Sequence, residues 1–477
     1  MGKIILFHRK DLRTHDNKAL NQAHKHGQVI PVYVISQETG SLESWRPKYC
    51  PDKNNFLVES LKDLNGQYVS KGSSLNIIMG DVLEKLKELS KKLNASVYFN
   101  RDPRGHPSDE ELLKSGFFGF DCDGIQRSGR KNWHKNCKKF FYSEEYEEPS
   151  KIKSTYDYSE INIDDIPRFL NCNKEKEEVP KGGTEQALKL LESFKLGLKD
   201  YNKSIEYLPW SESGTSRLSA HFSLGTLSLR RAFQEIDKLD FKQKESFKKR
   251  LFFNQHFIQK LQDNPKLIHE AANPIFENSY DTLYSENSVL IDAWKNGKTG
   301  YPLIDASVRA LVKIGFINFR MRATLATFFT YILKQPWNIG ADFMHYHLID
   351  SDVGINYSQW QMHCGLVGVH PNNIHNPTTH INENDPNCEF ILKYVPELRD
   401  FDIEDIKKNP KKRTQTEIKS YMARVIDYEI ERDKAIKIYK KLNKDSRDYL
   451  RNNPDIYKKL SLSTTASKRD FPVTKEV

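Results

Sequence analysis

The sequence predicts an α/β domain built on a doubly wound parallel sheet, then a long connector, then a larger all-α domain. Three observations carry that prediction. Short apolar runs rich in β-branched residues alternate with amphipathic stretches over residues 1–128. Aromatic and acidic residues take over across 129–183, where NKEKEEVPKGG reads as a surface connector. From Thr184 to residue 441 helical spacing dominates and strand signals nearly vanish. Strands that alternate with helices imply a parallel sheet covered on both faces, because each crossover helix must pack back on the sheet.

The elements follow in order. KIILFH and QVIPVYVIS are buried strands, and NNFLVESLKDLNGQYV spaces Phe56, Leu57, Leu61 and Leu64 on one helical face. SLNIIMG reads as a strand, DVLEKLKELSKKL as a helix and ASVYFN as a further strand. No GxGxxG or GxxxxGK[ST] follows any of them, so neither nucleotide fingerprint is present. EQALKLLESFKLGLKDY and ASVRALVKIGF open the helical half. Residues 442–477 lose periodicity and gain Lys, Ser and Thr, which reads as a tail. No internal repeat is visible.

Composition narrows the class. Hydrophobic residues at 38% and charged residues at 29% describe a folded, soluble chain of 477 residues, long enough for more than one core. The net charge of +10 fits a polyanion partner, most simply nucleic acid, and equally an AT-rich genome. Six scattered cysteines without a CxxC pair argue against a structural zinc or iron–sulfur site and point to a reducing compartment. The terminus MGKIILFHRKDLR meets charge too soon for a signal peptide, and no later run approaches a membrane span. The expectation is an intracellular, cytoplasmic protein, or a nuclear one in a eukaryote, with no membrane association.

Five clusters could carry chemistry. GTSRLSAHFSLGTLSLR sets hydroxyls and a guanidinium ahead of an apolar helix, which suits phosphate or an ordinary cap. AWKNGKTGYPLIDASVRAL holds a Gly-Lys-Thr-Gly turn before a helix opening near Pro302. In GFINFRMRATLATFFTYIL, Arg320 and Arg322 interrupt an apolar helix and need anionic partners, since an unpaired buried charge is costly. LIDSDVGINYSQWQ offers the aspartates as such partners, or as a metal, sugar or cofactor site. FHRKDLRTHDNKAL ends a strand in basic residues and then Asp16-Asn17.

In their order along the chain, FHRKDLRTHDNKAL, GTSRLS, WKNGKTGYPLIDA, LIDSDVGINYSQWQ, HNPTTH and ENDPNCEFILKYVPELRD resemble the cryptochrome/photolyase family, from Lys3 to about Arg399. The resemblance implies a helical FAD-binding catalytic domain over 184–441. Thr215, Ser216, Arg217, Leu218 and Ser219 would wrap the pyrophosphate, with Tyr201 a further candidate. Arg322, Asp350 and Asp352 match positions facing the isoalloxazine ring and ribityl chain, and Asn356 matches the residue beside flavin N5. In the family a chain of aromatic residues delivers electrons to the flavin. Trp360 matches its innermost member and Trp337 the middle one; Tyr284 stands where an outermost tryptophan is usual.

The lesion side departs from the family pattern. Leu251 and Asn254 replace a glutamate and a tryptophan, Phe319 and Ala323 an asparagine and a methionine, and Met362 a stacking tryptophan. The paired histidines of (6–4) photolyases fall on Phe319 and Ala323, which disfavours that activity. Gln255 and His256 are polar candidates for lesion contact, His256 equally for a structural role. Arg320 matches a DNA contact and His380 lies in the DNA-proximal loop HNPTTH, where Asn373 replaces a common arginine. The runs KKR at 248–250 and KKNPKKR at 407–413 could contact phosphate. Family members often carry a folate or deazaflavin antenna; its acidic contact is not evident in YFNRDPRGHPSDEE, and no antenna is claimed. The implied function is FAD-dependent, blue-light-driven splitting of cyclobutane pyrimidine dimers by a monomer acting on ultraviolet-damaged DNA. The alternative is a cryptochrome-type photoreceptor without repair.

Overall fold

The computed structural model describes residues 2–36, 49–152, 156–172, 178–368, 372–408, 421–454, 456 and 460. It divides into two units. The sheet unit comprises residues 1–199, 216–262 and 348–352; the helical unit comprises 200–215, 263–347 and 353–477.

The sheet unit holds five parallel strands, β1 (Gly2–Phe7), β2 (Gly27–Ile35), β3 (Asn76–Met79), β4 (Ala95–Arg101) and β5 (Phe118–Asp121), in the order β3-β2-β1-β4-β5. Helices α1 (Lys18–His26), α2 (Pro51–Ser70), α3 (Val82–Leu93) and α4 (Asp109–Lys114) make the crossovers. Two cores cover the two faces. One gathers Ile4, Leu6, Leu20, Phe56 and Leu61; the other gathers Ile5, Phe7, Val32, Leu86 and Phe99. Alternate residues of β1 therefore feed opposite cores, as strand geometry requires. β5 escapes the sequence pattern because FGFD is short, glycine-containing and largely open to solvent.

The structure groups several segments differently from the expected boundaries. Residues 184–199, 216–262 and 348–352, expected in the helical domain, belong with the sheet. The cause lies in FHRKDLRTHDNKAL, whose polar groups are spent internally. Arg13 donates to the Gly225 carbonyl at 2.8 Å, and Asp16 pairs with Arg230 where both are buried. Gly225 sits at φ +70°, and a Cβ there would run into the backbone of Lys10. The connector also contains a helix, α5 (Trp133–Tyr142), rather than loop alone. At the other end, the last long helix runs from Tyr428 to Asn452, past residue 442 where a tail was expected. Tyr428, Ala435, Tyr439, Leu442, Ser446 and Leu450 form its buried stripe, diluted in the sequence by lysines.

Candidate functional site

In the sheet unit, the carboxyl ends of β1 and β4 flank the point where strand order reverses, the usual ligand crevice of a doubly wound sheet. Here polar side chains fill it. Arg9 pairs with Asp109 at 2.6 Å, and Asn100 donates to Asp11 at 2.7 Å. The cavity that remains, lined in part by Lys10, Asp11, Asn100 and Arg104, is about 60 Å³. That is room for a few waters.

Asp350 and Asp352 lie in this unit. Asp352 pairs with Arg104 at 2.6 Å, and Arg104 also grips Asp102 at 2.5 Å. Between the two aspartates, the Ser351 carbonyl accepts from Lys53 at 2.7 Å. Burial pushes the Lys53 ammonium below its ordinary pKa, partly offset by Tyr49, whose ring lies 3.8 Å away, and by Asp350. Sequence reasoning looked for the aspartates' partner among nearby arginines. It missed Arg104 and Lys53 because both are more than 240 positions away. The DPRG turn was a readable signal, since it places a guanidinium just beyond a strand end. Of the phosphate-loop candidates, Ser216, Arg217, Leu218 and Ser219 are also in the sheet unit. Arg217 holds a left-handed φ of +51° immediately before the short helix Ser219–Leu224. Tyr201, Thr215, Arg322 and Asn356 belong to the helical unit.

Asn356 donates its amide to the Ala341 carbonyl at 3.0 Å, which leaves its own carbonyl oxygen as an acceptor. One turn on, Trp360 is packed in an aromatic nest. Trp294 crosses it with ring centres 6.4 Å apart and Phe329 at 6.2 Å, while Gly340 lies so close under the ring that no Cβ fits. Trp337 instead meets Tyr357 at 6.3 Å, one turn back on the Trp360 helix. Trp294 thus enters the nest as a residue not among the sequence-derived candidates. Tyr284, the candidate for the outermost member, is buried, and Tyr280 beside it is 40% accessible, with ring centres 5.0 Å apart. Arg322 donates to the Ile317 carbonyl at 2.9 Å.

The lesion-side candidates divide. Leu251, Gln255 and His256 are buried within the sheet unit, and Asn254 is half-buried. Gln255 is 1% exposed and accepts from the Gly124 amide at 2.8 Å. Lys248 is likewise occupied, by Asp237 at 2.5 Å and Glu245 at 2.8 Å. Residues 409–413 of KKNPKKR lie outside the described residues. In the helical unit Phe319 is 41% exposed, with its ring 5.6 Å from His363, and Arg320 pairs loosely with Glu206 at 3.3 Å. Met362 is half-buried. His380 is buried and bonded to Thr324 at 2.9 Å and to His375 at 3.1 Å, which engages both ring nitrogens.

Burial holds His363, His375 and His380 each down to about 4 from the ordinary 6.5, helped by His375 at His363, by His380 and Arg320 at His375, and by Arg320 at His380. Unfolded histidines bind protons near 6.5 while these wait until about 4, so the unfolded chain takes up more protons between those values. Stability is expected to fall as pH drops through that window and to level off below it. Thermal midpoints at pH 7 and pH 5 check this. The double variant His375→Gln/His380→Gln should show a shallower dependence than the parent, and an unchanged one would contradict the assignment.

The GKTG turn has a structural explanation. Asp305, fully buried, accepts from the Thr299 amide and hydroxyl, both at 2.7 Å, and from the Gly300 amide at 3.0 Å. Among the described residues no group of three or more His, Cys, Asp or Glu side chains could hold a metal ion, and no helix is long and apolar enough to cross a membrane.

Residues 4–111 match the DNA photolyase model, and residues 247–441 match the model for the FAD binding domain of DNA photolyase. The chain belongs to the photolyase/cryptochrome family. It is 25% identical to a deoxyribodipyrimidine photo-lyase of Halobacterium salinarum, over 83% of this chain and 89% of that one. It is 26% identical to a cryptochrome DASH of Xenopus laevis, over 83% of each. A crystal structure of a bacterial class III photolyase from Agrobacterium tumefaciens superposes with a TM-score of 0.79 at 23% identity, covering 93% of this chain and 98% of that one. FAD is the cofactor, as the matching model describes. Within the helical unit, Asn356 offers an acceptor of fixed orientation and Arg322 a guanidinium group, donor and acceptor types that suit a flavin.

Proposed function

We propose that the protein is a light-driven DNA repair enzyme that splits cyclobutane pyrimidine dimers. The observation that carries this reading is the match of both halves of the chain to DNA photolyase models, joined to the Asn356–Trp360 turn. Bound FAD supplies light absorption and one-electron chemistry. This chain's residues do the rest. Asn356 holds a neutral acceptor at a fixed place, and its bond to Ala341 prevents the amide from flipping. Arg322 contributes positive charge that favours an anionic ring, an effect strongest where water is excluded. Trp360, in its aromatic nest, is the entry point for electrons from the protein. On the DNA side, the open face of Phe319 suits stacking of a base turned out of the duplex, and Arg320 suits its phosphate. Turning a base out costs a few kcal/mol, less at a lesion that already stacks badly.

A photoreceptor without repair is the second reading. Leu251, buried and apolar where dimer-splitting relatives carry a glutamate, and the similarity to a cryptochrome DASH favour it. Oligonucleotides carrying a cyclobutane dimer or a (6–4) product separate the readings. With reduced FAD bound, blue light is expected to remove the cyclobutane dimer and leave dark controls untouched. A protein that photoreduces its flavin yet removes neither lesion is a photoreceptor.

A further inference from the structure

The helix Tyr428–Asn452 carries a feature the repair chemistry does not use. Between residues 434 and 444, in KAIKIYKKLNK, it has five lysines and no carboxylate. Arg432, Ile436, Lys440, Asn443 and Arg447 recur at helical spacing and share one face. That face borders a groove of about 400 Å³, whose other wall is the loop of Asn372, Asn373 and Ile374. The groove combines three cations, three amides and the Tyr439 side chain, and no described lining residue is acidic. Lys440 and Arg447 have no ion-pair partner among the described residues, whereas Lys434, off this face, is paired with Glu431 at 2.6 Å. Asn372 and Asn443 each keep a buried carbonyl oxygen without a described partner.

The flank of this face fixes the helix. The Tyr439 ring lies 4.4 Å from that of Tyr331, and Asn273 donates to Ser446 at 2.8 Å. Lys334 pairs with Glu431 at 3.0 Å. The cationic face is therefore presented by a docked rod. At 1.5 Å per residue, Arg432 and Arg447 lie about 22 Å apart, with Lys440 between them. A mononucleotide cannot span that length, whereas a nucleic-acid strand places several phosphates along it.

We propose that this groove and the Arg432–Lys440–Arg447 stripe form a track for the phosphodiester backbone of DNA. The inference rests on the reading that the protein works on DNA, and it holds whether or not repair follows. Positively charged side chains at this spacing neutralise successive phosphates without reading bases, so binding is independent of sequence and weakens with salt.

The test uses the full chain with FAD and an undamaged 20-base-pair duplex, followed by fluorescence anisotropy over a salt series. The variant is Arg432→Gln/Lys440→Gln/Arg447→Gln. The control, Lys87→Gln/Lys91→Gln/Lys242→Gln, removes the same charge from exposed lysines of the sheet unit. The slope of log affinity against log salt should fall by about 2 to 3 in the track variant and hardly change in the control. Unaltered thermal midpoint and flavin spectrum confirm that the variant is folded. Equal slopes in parent and track variant overturn the proposal, as does an equal loss in the control. An acidic peptide that binds the groove when DNA does not also overturns it. Lesion removal that fails while the slope difference persists counts against repair alone.

Discussion

Replacing Trp360 by phenylalanine is expected to leave the protein folded and to remove most of its light-driven FAD reduction. The two outcomes separate because of how the indole is held. Its ring nitrogen is buried without a described hydrogen-bond partner, so the substitution leaves no acceptor stranded. The surrounding rings of Trp294 and Phe329 accept another aromatic ring, and loss of the smaller volume costs about 1–2 kcal/mol. Phenylalanine is far harder to oxidise than tryptophan, so delivery of electrons through this position stops. Photoreduction followed by absorbance under an added reductant measures the effect, with thermal unfolding as the control for folding. Trp337→Phe should also slow reduction, since Trp337 joins the same helix through Tyr357. A parental rate in Trp360→Phe would remove Trp360 from the route.

Asp16→Ala is expected to be the most destabilising single change in the sheet unit. Asp16 and Arg230 are 1% and 2% exposed, and Arg230 also donates to Ser143 at 2.7 Å beneath the rings of Phe140 and Tyr146. Removing one partner of a buried pair leaves the other charge without water or counterion, which costs about 3–5 kcal/mol. The apolar double replacement Asp16→Leu/Arg230→Met should recover part of the loss, because it buries no charge. Denaturant midpoints of the parent, both single variants and the double form a cycle that checks this. A single-variant loss under about 1 kcal/mol would mean that solvent reaches the pair.

How much of this was legible in the sequence depends on range. β1 to β4 and helices α2 and α3 follow from periodicity, because each is decided by which of its own residues are apolar. β5 was not, since four residues with a glycine carry no period. The partners of the polar clusters were illegible for a different reason. Asp16 meets Arg230, Asp352 meets Arg104 and Ser351 meets Lys53, and local spacing says nothing about pairs more than 200 positions apart. Motif order singled out Asn356 and Trp360 as candidates, but it could not show that Trp294 is the indole packed against Trp360. Nor could it show that His380 and Gln255 spend their polar atoms inside the protein.

The central claim is that this chain works through a bound, photoactive FAD. The absorption spectrum of the purified protein, recorded without oxygen before and after blue illumination in the presence of a reductant, tests it most directly. The account predicts a flavin spectrum at about one FAD per chain that bleaches in the light. A colourless protein that cannot be loaded with FAD would contradict it.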